Sequence, residues 1–479
     1  MKKIFFVTYF LAICTVYLFA TDTNINFTGI DYSDVTISKK TKILNPIPIV
    51  YNEQKDKYIY NESIPILTKT AGYWISKIQT PDEVILNEEQ IKDFNERIKL
   101  KDVGLTKVED YKDIVNPDNL KKTLERRLFW IKNRRYIFSN LEKVPKEFFD
   151  DLQKSIDLDF TTPFTFVNFA ITTKYSEVRI LPTDTAIYSN PNSLDLDRLQ
   201  EQSIDIGTPL AVLCQTKDRD WCYAVTPREE GWIKTENIAF TSRENIKEWN
   251  SYKKIAVATD TKADIFLDKT LKQFAGYVRM GTYFPLKSKN KKYVVVRFPV
   301  ADKNGNLVIT NGYIHRNSVN IGFLKYTQRN ILIQAFKHLN SLYGWGGSRA
   351  EQDCSGMLGQ IFNCFGVVLP ENSAQKIKCG EIFELERYED IDIKKQNIIE
   401  KAIPALSFIY LQGHIMLYIG NDDNEPYVLH NVWGVSAFNN NNEKTILYIN
   451  RTIVGDLNLG DIVTDNSLIE RVIKFSILK

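Results

Sequence analysis

Charge of one sign is the first thing this chain lacks. Its 62 Lys and Arg nearly balance 59 Asp and Glu, leaving a formal net charge of +3, and Lys2 and Lys3 supply most of that surplus. A near-neutral chain gives no electrostatic footing to a nucleic-acid partner. Cysteine is sparse too, at six in 479 residues, too few for a disulfide framework in a chain this long. Cys214 and Cys222 flank Lys217-Asp218-Arg219-Asp220 in a hairpin pattern and form a candidate cross-strand disulfide. Histidine is scarcer still, with four residues. No cysteine or histidine cluster has zinc-ligand spacing, so no metal site is read here. Apolar material is plentiful: 43% hydrophobic and 12% aromatic supply several cores and argue against wholesale disorder. The length accommodates about three domains.

The first twenty residues read as an export signal. Lys2-Lys3 forms a basic start, Ile4 to Ala20 is an uncharged apolar run, and polar Thr21-Asp22-Thr23-Asn24 follows. Ala20 serves as a cleavage position, while Ile13 before Cys14 argues against a lipid anchor. Membrane contact is expected only if the segment stays uncleaved.

Residues 21–160 read as an N-terminal helical region, opening with extended segments over 21–75 that pack on other domains. Asn87 caps a helix carrying Ile91, Phe94 and Ile98 on one face. Asn116-Pro117 opens another with Leu120, Leu124, Leu128 and Ile131 as its stripe, its Arg126-Arg127 and Arg134-Arg135 read as a solvated face. From 161 to 245 the pattern changes to short strands between turns: Leu210 to Cys214, Trp221 to Val225, and Gly231-Trp232-Ile233. A comparable series runs from 250 to 322, with Asp302-Lys303-Asn304-Gly305-Asn306 as a hairpin turn. Two small β-barrels in tandem account for both.

Chemistry concentrates in residues 323–479. Tyr343-Gly344-Trp345-Gly346-Gly347 precedes Asp353-Cys354-Ser355-Gly356, after which Met357, Leu358, Ile361, Phe362 and Phe365 recur at helical spacing. Cys354 therefore sits in a first helical turn, where free N–H groups and the dipole favour a thiolate. Imidazole is the base suited to a thiol near neutral pH. His414 opens a strand in Gly413-His414-Ile415-Met416-Leu417-Tyr418, with Ile415, Leu417 and Ile419 facing the core and His414, Met416 and Tyr418 the other side. His430 lies in the next strand, placed to orient His414. His315 and His338 read as structural or exposed. Asp353 beside the thiol discourages a like charge, which makes sense if it caps the helix or faces a substrate ammonium. A nucleophile helix packed on an antiparallel sheet carrying the bases is an α+β plan.

Together with Leu369-Pro370 to Gln375, these motifs resemble the NlpC-type cell-wall cysteine peptidases, and Asp197-Arg198-Leu199-Gln200-Glu201, Trp221 and Gly231-Trp232-Ile233 resemble the bacterial SH3-like domain of multidomain members. The resemblance implies a papain-like catalytic domain behind two SH3-like barrels and an N-terminal stabilising region. It implies an exported enzyme of the periplasm or cell envelope, free of metal and organic cofactor, acting on peptidoglycan stem peptides or muropeptides. The scissile bond would join γ-D-glutamate to a diamino acid. Cys354 would attack, with His414 as base then acid and His430 as orienter. Tyr343 and the Cys354 N–H would stabilise the oxyanion. Asp353 and Ser355 would bind the free amine of L-alanine, and Asn372 and Ser373 would add substrate contacts. The chain departs from relatives at Glu371, where arginine is common, and at Arg228-Glu229-Glu230, where some carry an aromatic closing the site. A catalytically inert wall-binding protein, or acyl transfer on the same thiol, are the competing readings.

Overall fold

The computed structural model describes residues 51–52, 57–58, 66–157, 163–387, 389–438, 444–460 and 467–479. The proposed export segment lies outside them. No helix among the described residues is long and apolar enough to cross a membrane.

Four helices lead: α1 (Ala71–Ser76), α2 (Glu88–Lys99), α3 (Pro117–Lys132) and α4 (Lys146–Ser155). Asn87 begins α2 with a full capping box closed by Gln90, and Asn116 caps α3 ahead of Pro117, so local sequence sets both starts. Their apolar faces diverge. Trp74, Ile91, Phe94 and Ile98 join the core of the C-terminal domain. Leu120 and Leu124 of α3 instead pack with the β-rich middle of the chain, and Leu128, Ile131 and Phe149 pack with Leu181, Ile187 and Leu199. Arg127 is not the solvated residue expected. Its guanidinium donates to Glu201 at 2.7 Å and to the Glu230 carbonyl at 3.1 Å.

The first antiparallel sheet contains β1 (Asn168–Thr172), β2 (Ser176–Arg179), β3 (Gln200–Ile204), β4 (Pro209–Gln215), β5 (Trp221–Val225), β6 (Glu230–Lys234) and β7 (Ile238–Thr241), in the order β7-β1-β4-β5-β6-β2-β3. Cys214 and Cys222 are both free, correcting the disulfide expectation. A bulge sets Cys214 opposite Tyr223 and Cys222 opposite Gln215. The sulfurs then fall on opposite faces, because side chains alternate along a strand.

Helix α5 (Arg243–Ser251) leads into a second seven-stranded antiparallel sheet. It contains β8 (Ile255–Ala258), β9 (Lys262–Phe266), β10 (Phe274–Arg279), β11 (Tyr283–Lys289), β12 (Tyr293–Ala301), β13 (Leu307–His315) and β14 (Val319–Ile321), ordered β10-β9-β13-β12-β11-β8-β14. One apolar cluster runs through both sheets, from Tyr223 and Trp232 to Phe284 and Phe298.

The C-terminal domain has helices α6 (Gln328–Lys337), α7 (Cys354–Asn363), α8 (Ser373–Lys376) and α9 (Ile391–Lys401) about a six-stranded antiparallel sheet. Its strands are β15 (Glu381–Glu384), β16 (Ser407–Leu411), β17 (His414–Asp422), β18 (Glu425–Phe438), β19 (Lys444–Asp456) and β20 (Val472–Ile477), in the order β15-β20-β16-β17-β18-β19. Both faces of β17 are covered. Ile415, Leu417 and Ile419 meet α7 and the N-terminal helices, while Met416 and Tyr418 enter a second core with Ile398 of α9. Lys394 of α9 is buried and donates to the carbonyls of Arg387, Glu470 and Val472. Gly420 holds φ at +138°, and a Cβ there would stand 2.8 Å from the Trp74 ring. Bare backbone at that point lets α1 seat its indole against the sheet.

Candidate active site

Three elements converge on the thiol. Asp353 is the N-cap of α7: its Oδ1 accepts from the Gly356 N–H at 2.7 Å and the Ser355 hydroxyl at 2.9 Å. That cap starts the helix at Cys354. From the facing strand, the backbone N–H of Ile415 favours the Cys354 thiolate, as does the N–H of Ser355. Ile415 follows His414, which the two-residue turn Gln412-Gly413 sets opposite Leu411 at the start of β17. His414 Nε2 and His430 Nδ1 lie 2.8 Å apart. His430 is fully buried, and its Nε2 has no hydrogen-bond partner among the described residues. One ring nitrogen of His414 is therefore committed to His430, which fixes the plane of the imidazole.

Burial dominates the electrostatics. It pushes the Cys354 thiol up to about 12, with the Asp353 carboxylate adding to the effect, while the N–H groups of Ile415 and Ser355 and the charge of Lys376 oppose it. Burial also holds His414 down to about 4 and His430 well below its ordinary value. Burial thus works against the thiolate expected at the helix start and favours a neutral thiol beside a neutral imidazole. Burial likewise raises Asp353, helped by nearby Glu371. Tyr343 is raised well above its usual range by burial and then by the charges of Asp353 and Cys354, so its hydroxyl keeps its proton and can donate.

The structure brings Cys354, His414, His430, Tyr343, Asp353 and Ser355 together. Asn372 and Ser373 sit at the start of α8, where the Asn372 side chain accepts from the Ala374 N–H at 2.8 Å. No hydrogen bond among the described residues joins either of them to the thiol or to a histidine. His338 is buried with both ring nitrogens unpartnered, and His315 is exposed. No group of three or more His, Cys, Asp and Glu among the described residues is placed to hold a metal ion.

Three contributors escaped sequence reasoning. Lys376 is buried and donates from Nζ to the Ser355 carbonyl at 2.7 Å, placing an ammonium under the first turn of α7. Asn431 is buried and donates to the Gln352 and Leu342 carbonyls, tying the loop before α7 to β18. Adjacent polar residues His430 and Asn431 in an apolar strand were the available signal, since consecutive side chains serve opposite faces. The third contributor is the first sheet. Gly346 and Gly347 hold φ at +55° and +78°. Their carbonyls accept from Gln200 Nε2 at 3.0 Å and the Tyr175 hydroxyl at 2.5 Å, and the Gly346 N–H donates to Asp353 Oδ2 at 3.2 Å. A Cβ on Gly347 would fall 1.8 Å from Ser203 Oγ. Arg279 of β10 completes the junction, bonding Asp205, Ser203 and the Glu351 carbonyl.

Comparison with known proteins matches residues 340–445 to the NlpC/P60 family and residues 187–234 to the SH3 domain of SH3b1 type. No curated protein sequence matches the chain. Among solved structures, it is similar to a novel NlpC/P60 endopeptidase from Photobacterium damselae subsp. piscicida, at 21% identity and TM-score 0.70, over 85% of this chain and 96% of that one. An NlpC/P60 family protein from Bacillus cereus ATCC 10987 aligns at 14% identity and TM-score 0.46, over 64% and 98% of the respective chains.

Proposed function

The chain carries an NlpC/P60 domain behind an SH3 domain of the SH3b1 type, and on that premise we propose that it is an exported peptidoglycan hydrolase. It acts as a cysteine endopeptidase on the bond between γ-D-glutamate and a diamino acid in stem peptides. The observation that carries the chemistry is the 2.8 Å contact of His414 with His430, one residue from the N–H that meets Cys354.

The neutral resting pair sets the order of events. As Cys354 attacks the carbonyl carbon, its proton passes to His414, which becomes the imidazolium. The oxyanion is met by the Cys354 N–H at the head of α7 and by the Tyr343 hydroxyl. His414 then gives its proton to the departing amine, leaving an acyl thioester. Water, deprotonated by His414, hydrolyses the thioester and restores the thiol. His430 keeps the imidazole in plane throughout. Asp353 and Ser355 receive the substrate's free amine, and Asn372 and Ser373 contact the peptide further along.

Digestion of defined muropeptides, followed by mass spectrometry, tests this reading with the wild type beside Cys354→Ala. The expected product is a fragment ending in γ-D-glutamate, absent with the variant. A wild type that leaves every peptidoglycan fragment intact overturns the enzyme reading. Cleavage at another bond overturns only the specificity. Acetylation of the substrate's amine should suppress cleavage if Asp353 receives that group.

A further inference from the structure

Behind the nucleophile helix lies a cleft of about 1010 Å³ that the chemistry above does not use. Gly356, Gln360 and Asn363 line it from one face of α7. Gly356 stands about 200° around the helix from Cys354 at 3.6 residues per turn, so the cleft lies on the side of α7 away from the thiol, bordered by the Asp353 cap, whose Oδ1 is 3.3 Å from the position a Gly356 Cβ would take. Residues of α2 and of the regions around both β-rich sheets complete the lining, which includes apolar Trp249, Met280, Phe323 and Phe365.

The polar end holds four side chains with unused hydrogen-bonding capacity. Arg228 donates through Nη2 to Asn363 Oδ1 at 2.6 Å, but its buried Nε has no partner among the described residues. Glu371 makes no hydrogen bond or ion pair among the described residues, and its Oε1 lies 3.4 Å from the position a Gly356 Cβ would take. The two charges feel one another, since Glu371 supports the Arg228 cation against burial, yet they do not close into an ion pair. Gln360 is 7% exposed with Oε1 unpartnered among the described residues, and Gln352 is 4% exposed with Nε2 likewise unpartnered. Both line the cleft. A buried amide left without a partner destabilises the fold, so two in one cleft call for a ligand that supplies the missing bonds.

We propose that this cleft is a second binding site, for a free α-amino acid with an apolar side chain. The carboxylate meets Arg228 and the Gln352 amide, the ammonium meets Glu371 and the Gln360 carbonyl, and the side chain lies over Trp249 and Phe365. A simple anion would face Glu371 and a simple cation would face Arg228, so only a molecule with both charges satisfies both walls. The site goes beyond the peptidase reading and does not depend on it.

Isothermal titration and thermal melting of the full chain as Cys354→Ala test the site without turnover. L-leucine is the probe, and 4-methylpentanoate and 3-methylbutylamine are its two half-ligands. Leucine should give saturable heat and a saturable rise in Tm, with each half-ligand binding at least roughly tenfold more weakly, the scale of a lost charge-assisted contact. Arg228→Met and Glu371→Gln should each weaken leucine by a similar factor. Gln360→Leu leaves both charges in place and should weaken it less, which serves if Arg228→Met fails to fold. Absence of saturable heat, leucine binding no better than its halves, or wild-type affinity in Glu371→Gln would each overturn the proposal. The first of these would mean that the cleft holds water alone.

Discussion

Replacing Lys376 by methionine removes an ammonium held beneath the nucleophile helix while keeping most of the side chain's bulk. Lys376 donates to the Ser355 carbonyl at 2.7 Å, and its charge favours the Cys354 thiolate where burial and Asp353 oppose it. Two unit charges about 8 Å apart at an effective dielectric of about 20 interact by about 2 kcal/mol. Loss of a cation at such range should depress thiolate formation roughly thirtyfold. Stability should move much less. Burial holds Lys376 down to about 8 from 10.5, so keeping it charged at neutral pH costs the fold about 3 kcal/mol. Methionine relieves that cost but leaves a carbonyl unpaired, about 1–3 kcal/mol. The assay is the rate of Cys354 alkylation by iodoacetamide across pH on the folded chain, with the site assigned by mass spectrometry. In the wild type the two properties should separate between about pH 8 and 10.5. There the unfolded chain keeps a proton that folded Lys376 has lost, so this group adds stability as pH rises, while the thiol loses its cation. A Lys376→Met protein that alkylates with the wild-type rate and pH profile would refute the reasoning.

His430→Ala frees the His414 ring, so kcat should fall roughly a hundredfold with little change in KM, the scale of general-base catalysis; an equal rise in KM would instead indicate a substrate contact. Because His414 must be neutral to take the thiol proton and is held down to about 4, hydrolysis should persist until pH falls through about 4. An acid limb near 6.5 in kcat would show that the imidazole is not desolvated. Gly347→Ala places a methyl group 1.8 Å from Ser203 Oγ at a backbone φ of +78°, and should lower both Tm and kcat/KM, with the positive φ alone costing about 1–2 kcal/mol. Arg127→Met should destabilise the chain by about 3 kcal/mol, because Glu201 and Glu230 lose their cation. Burial already pushes Glu229 up to about 7 and raises Glu201. Between the ordinary carboxylate range and about pH 7 the folded state keeps protons that the unfolded chain releases, so the deficit should grow on going from pH 5 to pH 8 in chemical denaturation.

Local signals were the legible ones. Asn87 and Gln90 announce α2 because a capping box is complete within four residues, and Asn116-Pro117 announces α3 because an N-cap followed by proline is just as local. The thiol and two histidines were legible because scarce residue types stood in motifs tied to a reaction. Strand β20 was not, although it pairs with both β15 and β16 inside the sheet: Val472 to Ile477 carries Lys474 and Ser476 between its apolar residues, and its partners lie some sixty to ninety residues away. Nothing in the sequence singles out Lys376 or Lys394, since lysine is almost never fully buried unless paired. Only the tertiary arrangement shows the carbonyls that receive them. Cys214 and Cys222 failed in the opposite way. Their spacing suits a hairpin, but one bulged residue turned them to opposite faces.

The departures from the resemblance at Arg228 and Glu371, met separately along the chain, line the same cleft. The first sheet therefore does two jobs at the peptidase domain, at two places. Through Gln200, Tyr175 and Ser203 it holds the glycine loop whose Gly346 N–H reaches the Asp353 cap, so it shares in fixing where α7 begins and hence where the thiol points. Through Arg228 it places a cation across from Glu371 on the opposite face of α7. A module serving only to tether the enzyme to the wall would need neither contact. Since Gly347 cannot accept even a methyl group against Ser203, the loop and the sheet must fit as one packed unit, and small-to-large changes at such a seam are not absorbed by local movement. On the proposed peptidase reading, substitutions at Gln200 or Tyr175 should therefore alter which peptides are cut, as read by mass spectrometry of the digest, without touching Cys354, His414 or His430.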